Sequence, residues 1–176
     1  MKHEQLWAPW RLEYIQAGDE RKAPLPLHAP HRGETDCFLC RDAAETPSAA
    51  NLVVRRGAST ITVLNRYPYN NGHLLIAPAA HKSRLDELLA EEHLEVAQTM
   101  GRMVVVLEQV IRAEGFNIGL NLGRIAGAGL PGHLHWHVVP RWNGDTNFMP
   151  VTAGIKVIPQ SLEALWQALN DALSAV

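Results

Sequence analysis

Three histidines alternate with apolar residues in the C-terminal half of the chain: His133, His135 and His137, separated by Leu134 and Trp136. Because side chains alternate between the two faces of a strand, an extended segment here places the three imidazoles on one face and the apolar side chains on the other. Buried imidazoles each need a hydrogen-bond partner, so they are poor packing material. The spacing therefore indicates chemistry, with surface histidines on an amphipathic strand and a bare metal site as alternatives.

A glycine-rich segment, residues 121–132, leads directly into the histidines. Glycine allows the backbone to turn its N–H groups inward and to approach a phosphate closely. Such a segment is often only a turn. Its position immediately before the histidines favours an anion site.

Cys37 and Cys40 are separated by two residues, a gap that allows both thiolates to reach one metal ion. The pair alone supplies only two ligands of a tetrahedral four. Two buried thiols or an exposed redox pair are the alternatives.

Five runs of residues are typical of strands and must position these groups: 52–56, 60–64, 73–77, 116–121 and 133–140. Their order, with a long helical segment between the third and fourth, favours an α+β fold over a doubly wound parallel sheet.

Apolar residues at helical spacing predict one long helix, or a short turn and then a helix, over about 84–114. Ser83 with Asp86 is the expected N-terminal cap, and Gly115 is the expected C-terminal stop. A last helix is expected to start near Ser161.

The composition suits one ordinary domain: 176 residues, 47% hydrophobic, 19% charged, with a net charge of −2. This charge argues against nucleic acid as a partner but allows a small anion. No apolar run reaches the roughly 20 residues of a membrane span, and the N-terminus has no signal-peptide core. We expect a cytoplasmic protein with an N-terminal arm and linker (1–36), a central domain (37–150) and a C-terminal extension (151–176) whose helix packs on the domain.

The alternation at 133–139, together with Asn65–Pro68, Gly72–Pro78 and the glycine-rich segment, resembles the histidine triad (HIT) family. The resemblance covers roughly residues 37–141. It implies a HIT-like α+β fold, with a five-stranded antiparallel sheet, one long helix and a C-terminal helix. Leu6–Arg11 and Val139–Pro150 resemble the bacterial branch related to diadenosine tetraphosphate phosphorylases.

In that family the middle histidine, here His135, is the nucleophile that attacks an α-phosphate. Imidazole has an ordinary pKa of roughly 6.5, so its nucleophilic neutral form is abundant at neutral pH. The resemblance implies that the His133 carbonyl holds the other ring nitrogen of His135. It also implies that His137 and His73 stabilise phosphoryl charge or assist the leaving group, with a strand-end residue without a role as the alternative for His73.

The resemblance also implies a nucleotide pocket. Asn65 is expected to hold the ribose and Asn121 to lie near the α-phosphate, with a turn or strand-edge residue as the alternative for each. The family often has a polar side chain in the glycine-rich loop, where this sequence has Ala, Gly and Leu, so the backbone at Gly127 and Gly129 is the expected phosphate donor. Arg141 and Trp142 complete the expected set, with Trp142 either stacking on a base or lying at a dimer contact.

His81 and His133 are the implied third and fourth ligands of a zinc ion held by Cys37 and Cys40. Four protein ligands would close the site, so this zinc would be structural. No organic cofactor is expected.

The leading functional hypothesis is phosphorolysis of diadenosine tetraphosphate or a similar compound, through a nucleotidyl-histidine captured by inorganic phosphate. Three alternatives remain open: a hydrolase of phosphoramidates or dinucleotides, a low-turnover nucleotide-binding adaptor, and a metal sensor. An adenine nucleotide is the expected substrate, and a homodimer is the expected assembly.

Overall fold

The computed structural model describes residues 37–155 and 157–174, and all structural statements concern these residues. The predicted N-terminal arm and the Leu6–Arg11 motif lie outside them. The elements follow one another as α1 (Phe38–Ala44), β1 (Val53–Arg56), β2 (Thr60–Leu64), β3 (Leu74–Pro78), a 3-10 turn (Leu85–Glu87), α2 (Ala90–Ile111), β4 (Gly115–Leu120), β5 (Trp136–Arg141), α3 (Met149–Ala153) and α4 (Leu162–Ser174).

The five strands form one sheet in the order β1-β2-β3-β5-β4, and every neighbouring pair is antiparallel. The predicted α+β class and five-stranded antiparallel sheet are therefore confirmed. β5 lies between β3 and β4, so His137 is opposite Leu75 on one side and Gly119 on the other. The third histidine of the triplet is thus held in the interior of the sheet.

The β5 strand begins at Trp136, which corrects the predicted strand over 133–140. The ladder with β3 ends at the pair Ile76–Trp136, two residues before β3 itself ends, and β4 ends at Leu120, which is opposite the same Trp136. Instead, the Leu134 amide donates a hydrogen bond of 2.7 Å to the Lys82 carbonyl, beyond the end of β3. His133 and His135 therefore lie on an approach segment outside the regular strand.

Of the two forms predicted for the long helix, the structure has the second, because a 3-10 turn at Leu85–Glu87 precedes α2. The expected cap of Ser83 with Asp86 is wrong. The Glu87 carboxylate accepts hydrogen bonds from the amides of Ser83 and Arg84 at 2.7 and 3.0 Å, so the acidic partner comes one residue later. An acidic side chain near exposed amides stabilises a helix start.

The C-terminal end of α2 also differs from the expectation. The helix ends at Ile111, Arg112 takes the left-handed conformation with φ of 52°, and Gly115 begins β4. The Trp142 indole N–H donates to the carbonyls of Ile111 and Arg112 at 3.2 and 2.8 Å. The last carbonyls of the helix are therefore hydrogen-bonded by Trp142, some thirty residues away. In many helices a local glycine motif satisfies these groups instead.

The core lies where α2 and α4 pack against the sheet, α2 on β3 and α4 on β1. Ser161 caps α4, since its hydroxyl accepts a hydrogen bond of 3.2 Å from the Ala164 amide, close to the predicted start. The Trp166 indole N–H donates to the Val53 carbonyl at 2.7 Å, which ties α4 to the edge strand β1. Core side chains from the two helices include Val96, Met103, Leu107, Leu165 and Leu169.

Within residues 37–155 and 157–174, none of the helices has the length and apolar character needed to cross a membrane.

Candidate functional site

His135 lies on the approach to β5 and is almost fully buried, at 6% exposure. Its Nδ1 is 2.8 Å from the carbonyl oxygen of His133. A carbonyl oxygen only accepts hydrogen bonds, so Nδ1 of His135 carries the proton and Nε2 keeps the lone pair. The ring is therefore oriented with Nε2 as its nucleophilic atom, through the backbone contact that the family resemblance implied.

His73 precedes β3 and is fully buried. Its Nδ1 accepts hydrogen bonds from the Tyr69 amide at 3.0 Å and from the Asn65 side-chain amide at 3.2 Å. The proton of a neutral His73 must therefore lie on Nε2, which is 2.9 Å from Nδ1 of His137. His73 thus donates to His137, and Asn65 is drawn into this contact.

His137 is the last residue of this chain of hydrogen bonds. Since its Nδ1 accepts from His73, a neutral His137 carries its proton on Nε2. Burial lowers the pKa of His137 and the neighbouring His135 lowers it further, so the ring is neutral at neutral pH. Its Nε2 is buried and has no hydrogen-bond partner within the described part of the chain.

The His137 and His135 rings are 5.1 Å apart, centroid to centroid. Buried donors without partners are rare, and one beside a nucleophile is suited to an oxygen that becomes more negative during a reaction. The two rings together offer a nucleophilic nitrogen and a hydrogen-bond donor for a phosphoryl group.

The turn before His73 is built from Asn70, Asn71 and Gly72, and it is locked to β5. The Asn70 side-chain amide donates to the Pro140 carbonyl at 3.0 Å and to the Asp145 carboxylate at 2.9 Å. The Asn70 carbonyl accepts from the His73 amide at 3.2 Å. Sequence reasoning missed this lock: the turn signal at Asn70 was visible, but its partners lie about seventy residues away.

Gly72 has φ of +76°, and a Cβ atom there would lie 2.6 Å from Cδ1 of Ile111. Only glycine meets both conditions without strain. The close approach of the turn to the end of α2 therefore depends on this residue, and it places His73 at the start of β3.

Arg141 and Trp142 lie at the opposite end of β5 from His135. The Arg141 guanidinium contacts Asp145 at 2.5 and 3.0 Å and Asn117 at 2.8 Å. Its hydrogen bond and charge hold the pKa of Asp145 well below the usual range. Trp142 caps α2 as described. The structure does not bring these two residues to the histidines, and their predicted role in substrate binding stays a prediction.

The glycine-rich loop uses part of its backbone for its own turns. Gly127 has φ of +91°, and its amide donates to the Arg124 carbonyl at 3.0 Å, while the Ala128 amide donates to Gly123 at 3.3 Å. Gly129 is exposed and Asn121, directly after β4, is half-buried. The Gly127 amide could contact a phosphate only if its hydrogen bond to Arg124 opened. The Gly129 amide donates no backbone hydrogen bond among the described residues, so it could contact a phosphate directly.

The four predicted metal ligands form a cluster in which all ligand atoms lie within 4.8 Å of one another. Cys37 Sγ is 3.2 Å from His133 Nδ1, and Cys40 Sγ is 3.1 Å from His81 Nδ1 and 3.5 Å from His133 Nδ1. Tetrahedral zinc with ordinary Zn–S and Zn–N bond lengths places sulfur and nitrogen ligands about 3.5 Å apart.

The donor set therefore fits a tetrahedral ion. The Nε2 of His133 donates to the Pro78 carbonyl at 2.8 Å, so its Nδ1 lone pair faces the cluster, as in metal-binding histidines generally. Cys37 and Cys40 come from the start of α1, His81 follows β3 and His133 precedes β5. The cluster can hold a metal ion that joins three separate parts of the domain.

The chain is similar to known proteins over most of its length. Residues 46–144 match the family described as the HIT domain. The AP-4-A phosphorylase of Mycobacterium tuberculosis is 40% identical over 159 residues, 90% of this chain and 78% of that protein.

Two further matches bear on the site. The bis(5'-nucleosyl)-tetraphosphatase (asymmetrical) of Schizosaccharomyces pombe is 33% identical over 82 residues, 47% of this chain and 44% of that protein. A solved structure of a zinc-bound histidine triad family protein from Mycobacterium smegmatis superposes with a TM-score of 0.65 at 25% identity, over 81% of this chain and 96% of that one.

Proposed function

Because this chain belongs to the histidine triad (HIT) family, we propose that it is an enzyme that transfers a nucleotidyl group from a dinucleoside polyphosphate through a covalent bond to His135. The observation that carries the proposal is the hydrogen bond from His135 Nδ1 to the His133 carbonyl, beside Nε2 of His137, which has no hydrogen-bond partner among the described residues. The relative named AP-4-A phosphorylase supports diadenosine tetraphosphate as the substrate.

In the first step, Nε2 of His135 attacks the α-phosphorus. A P–N bond forms, and the P–O bond to the rest of the polyphosphate breaks in line with it. The electrons of the broken P–O bond stay on the departing oxygen, so the polyphosphate leaves as an anion, and Nε2–H of His137 donates a hydrogen bond to that oxygen. His73 donates to Nδ1 of His137 at 2.9 Å and thereby keeps the His137 proton on Nε2. The His133 carbonyl stabilises the positive charge that develops on the His135 ring.

In the second step an acceptor oxygen attacks the same phosphorus, and the P–N bond breaks. With inorganic phosphate as acceptor, diadenosine tetraphosphate is converted to ADP and ATP. With water as acceptor, the products are AMP and ATP. Phosphate is the acceptor that we propose, and the similarity to a tetraphosphatase keeps hydrolysis as the second candidate.

Purified protein incubated with diadenosine tetraphosphate, with and without phosphate, tests the acceptor. Phosphorolysis predicts ADP and ATP at a rate that depends on phosphate. AMP and ATP at a phosphate-independent rate would establish the hydrolase. Binding of adenine nucleotides without turnover of this compound or of a phosphoramidate would establish the adaptor.

His135→Asn tests the nucleophile, because asparagine keeps a polar side chain but cannot form the nucleotidyl intermediate. We expect turnover to fall by a thousandfold or more, roughly the effect of removing a covalent nucleophile elsewhere, with nucleotide binding retained. His93→Asn on the exposed surface of α2 is the matched control. Trapping with α-labelled nucleotide should leave label on the wild-type protein and none on His135→Asn.

We also propose that the ion at Cys37, Cys40, His81 and His133 is zinc. Two thiolates and two imidazoles suit Zn²⁺, and four protein ligands leave no open position for a reacting group. When bound, zinc would cross-link the start of α1, the segment after β3 and the segment before β5. The residues themselves hold α1 against the approach to β5 and thereby place the His133 carbonyl that orients His135.

We propose a homodimer that joins the β4 edges of two copies. β4 is an edge strand of the sheet, and Asn117, Ile118 and Gly119 on it are exposed. Edge strands present unpaired backbone groups that a second strand can use. Size-exclusion chromatography with light scattering tests this assembly. The expected cytoplasmic location stays a prediction.

A further inference from the structure

The Tyr69 ring lies against the pair of histidines that assists the reaction. Its centroid is 4.6 Å from that of His73 and 5.6 Å from that of His137, and its plane is within 19° of the His137 plane. The Tyr69 amide at the same time donates to His73. The backbone contact therefore fixes the base of the side chain, while one face of the ring covers the two imidazoles.

The rest of this ring is open to solvent. The side chain is 54% exposed, although an aromatic ring of this size gains free energy when it is buried. A rigid aromatic surface beside a reactive centre is suited to stack a planar ligand, because every nucleobase has a π-face.

The position of Tyr69 indicates which nucleoside it would take. The His137 ring contacts both the His135 ring and the Tyr69 ring, whereas no ring contact joins Tyr69 to His135 among the described residues, so Tyr69 lies on the His137 side of the nucleophile. In-line displacement requires the leaving oxygen to depart on the side of phosphorus opposite the attacking nitrogen. A leaving group that accepts a hydrogen bond from His137 therefore departs on the side of Tyr69, away from His135.

We propose that Tyr69 is the residue on which the second nucleoside stacks, the one that departs with the polyphosphate. This inference rests on the proposed function and adds to it a determinant of substrate class. Tyr69 then distinguishes dinucleoside polyphosphates from nucleoside polyphosphates that carry one base. Its side chain touches the leaving nucleoside and takes no part in bond making.

The test compares two substrates that transfer the same adenylyl group: diadenosine tetraphosphate and adenosine 5'-tetraphosphate, which lacks the second nucleoside. In Tyr69→Ala, we expect KM for the dinucleotide to rise about tenfold, as one lost base stack implies, while its kcat changes little. Both parameters for adenosine tetraphosphate should stay near the wild-type values. Tyr69→Phe keeps the aromatic face and should behave as wild type with both compounds.

Two further variants separate stacking from support of the histidines. Tyr69→Leu keeps an apolar cover on the imidazoles without a π-face and should show the same selective loss as Tyr69→Ala. Tyr67→Ala, at a neighbouring tyrosine that is 81% exposed, should leave both substrates unaffected. Thermal melts of each variant verify the fold.

An equal loss with both substrates in Tyr69→Ala, especially in kcat, would overturn the inference and make Tyr69 a positioning residue, with the proposed function intact. A selective loss of the same size in Tyr67→Ala would also overturn it. Failure of the wild-type protein to turn over either compound would refute the proposed function and this inference with it.

Discussion

The carbonyl oxygen of His133 lies 2.8 Å from Nδ1 of His135, while the His133 ring lies 3.2 Å from Cys37 Sγ. One residue therefore belongs to both the metal cluster and the candidate catalytic centre. Its side chain contacts the cysteines, and its backbone orients the nucleophile. Any change that displaces His133 should affect metal content and turnover together, whereas a change at His135 should affect turnover alone.

Replacement of single ligands tests this division. In Cys40→Ser and His133→Ala we expect loss of bound zinc and a lower melting temperature, because the cluster joins α1 to the approach to β5. His135→Ala should retain zinc at the wild-type level. Metal analysis by mass spectrometry with thermal melts measures both quantities. Loss of zinc from His135→Ala would favour the alternative of a metal sensor that uses all three histidines.

The pH dependence of stability should carry a contribution from His137. Burial and His135 lower its pKa below the ordinary value of about 6.5. The unfolded chain then binds more protons than the folded one between the lowered value and about 6.5, so stability is full above this window and falls as the pH drops through it.

In His137→Gln this contribution is removed. We expect the loss of melting temperature between neutral and mildly acidic pH to be smaller than in the wild type. His93→Gln, on the exposed face of α2, should keep the wild-type profile. A wild-type profile in His137→Gln as well would contradict the burial of a neutral imidazole at this position.

Asn70→Ala should weaken both the fold and the site. The substitution removes hydrogen bonds to the Pro140 carbonyl and the Asp145 carboxylate in a buried position, where an unsatisfied partner costs about 1–3 kcal/mol. Urea denaturation should show a loss of this size, and turnover should fall because the turn that carries His73 is released. Asn143→Ala, at an exposed position nearby, should change stability by less than about 0.5 kcal/mol.

Two glycine substitutions should change the free energy of unfolding in opposite directions. Gly72→Ala meets both a positive φ and the Ile111 side chain, so we expect a loss of about 1–3 kcal/mol in the free energy of unfolding. Gly101→Ala lies within α2, where a Cβ atom meets nothing within 4 Å, and should gain about 0.5–1 kcal/mol. A neutral Gly72→Ala would show that the turn can move away from the end of α2.

Much of the fold could be predicted because its signals are local. The β2 strand at Thr60–Leu64 and the long helix α2 follow from the alternation and spacing of apolar residues. The errors came at element ends that respond to distant partners. β5 starts at Trp136, opposite the last residue of β4, because the chain before it bonds to Lys82 instead of continuing the ladder, and α2 ends at Ile111, where Trp142 caps its carbonyls.

By itself the sequence determined the class of the fold and the residue types of the site, since three alternating histidines, a cysteine pair and a glycine-rich loop are readable in order along the chain. Only the tertiary structure decided the protonated nitrogens of His73 and His137, the Asn70 lock and the position of Tyr69. Those properties depend on hydrogen bonds and ring contacts between side chains and backbone from different elements, and most of these pairs are more than sixty residues apart. Local propensity carries no information about such pairs until the sheet brings β3 beside β5.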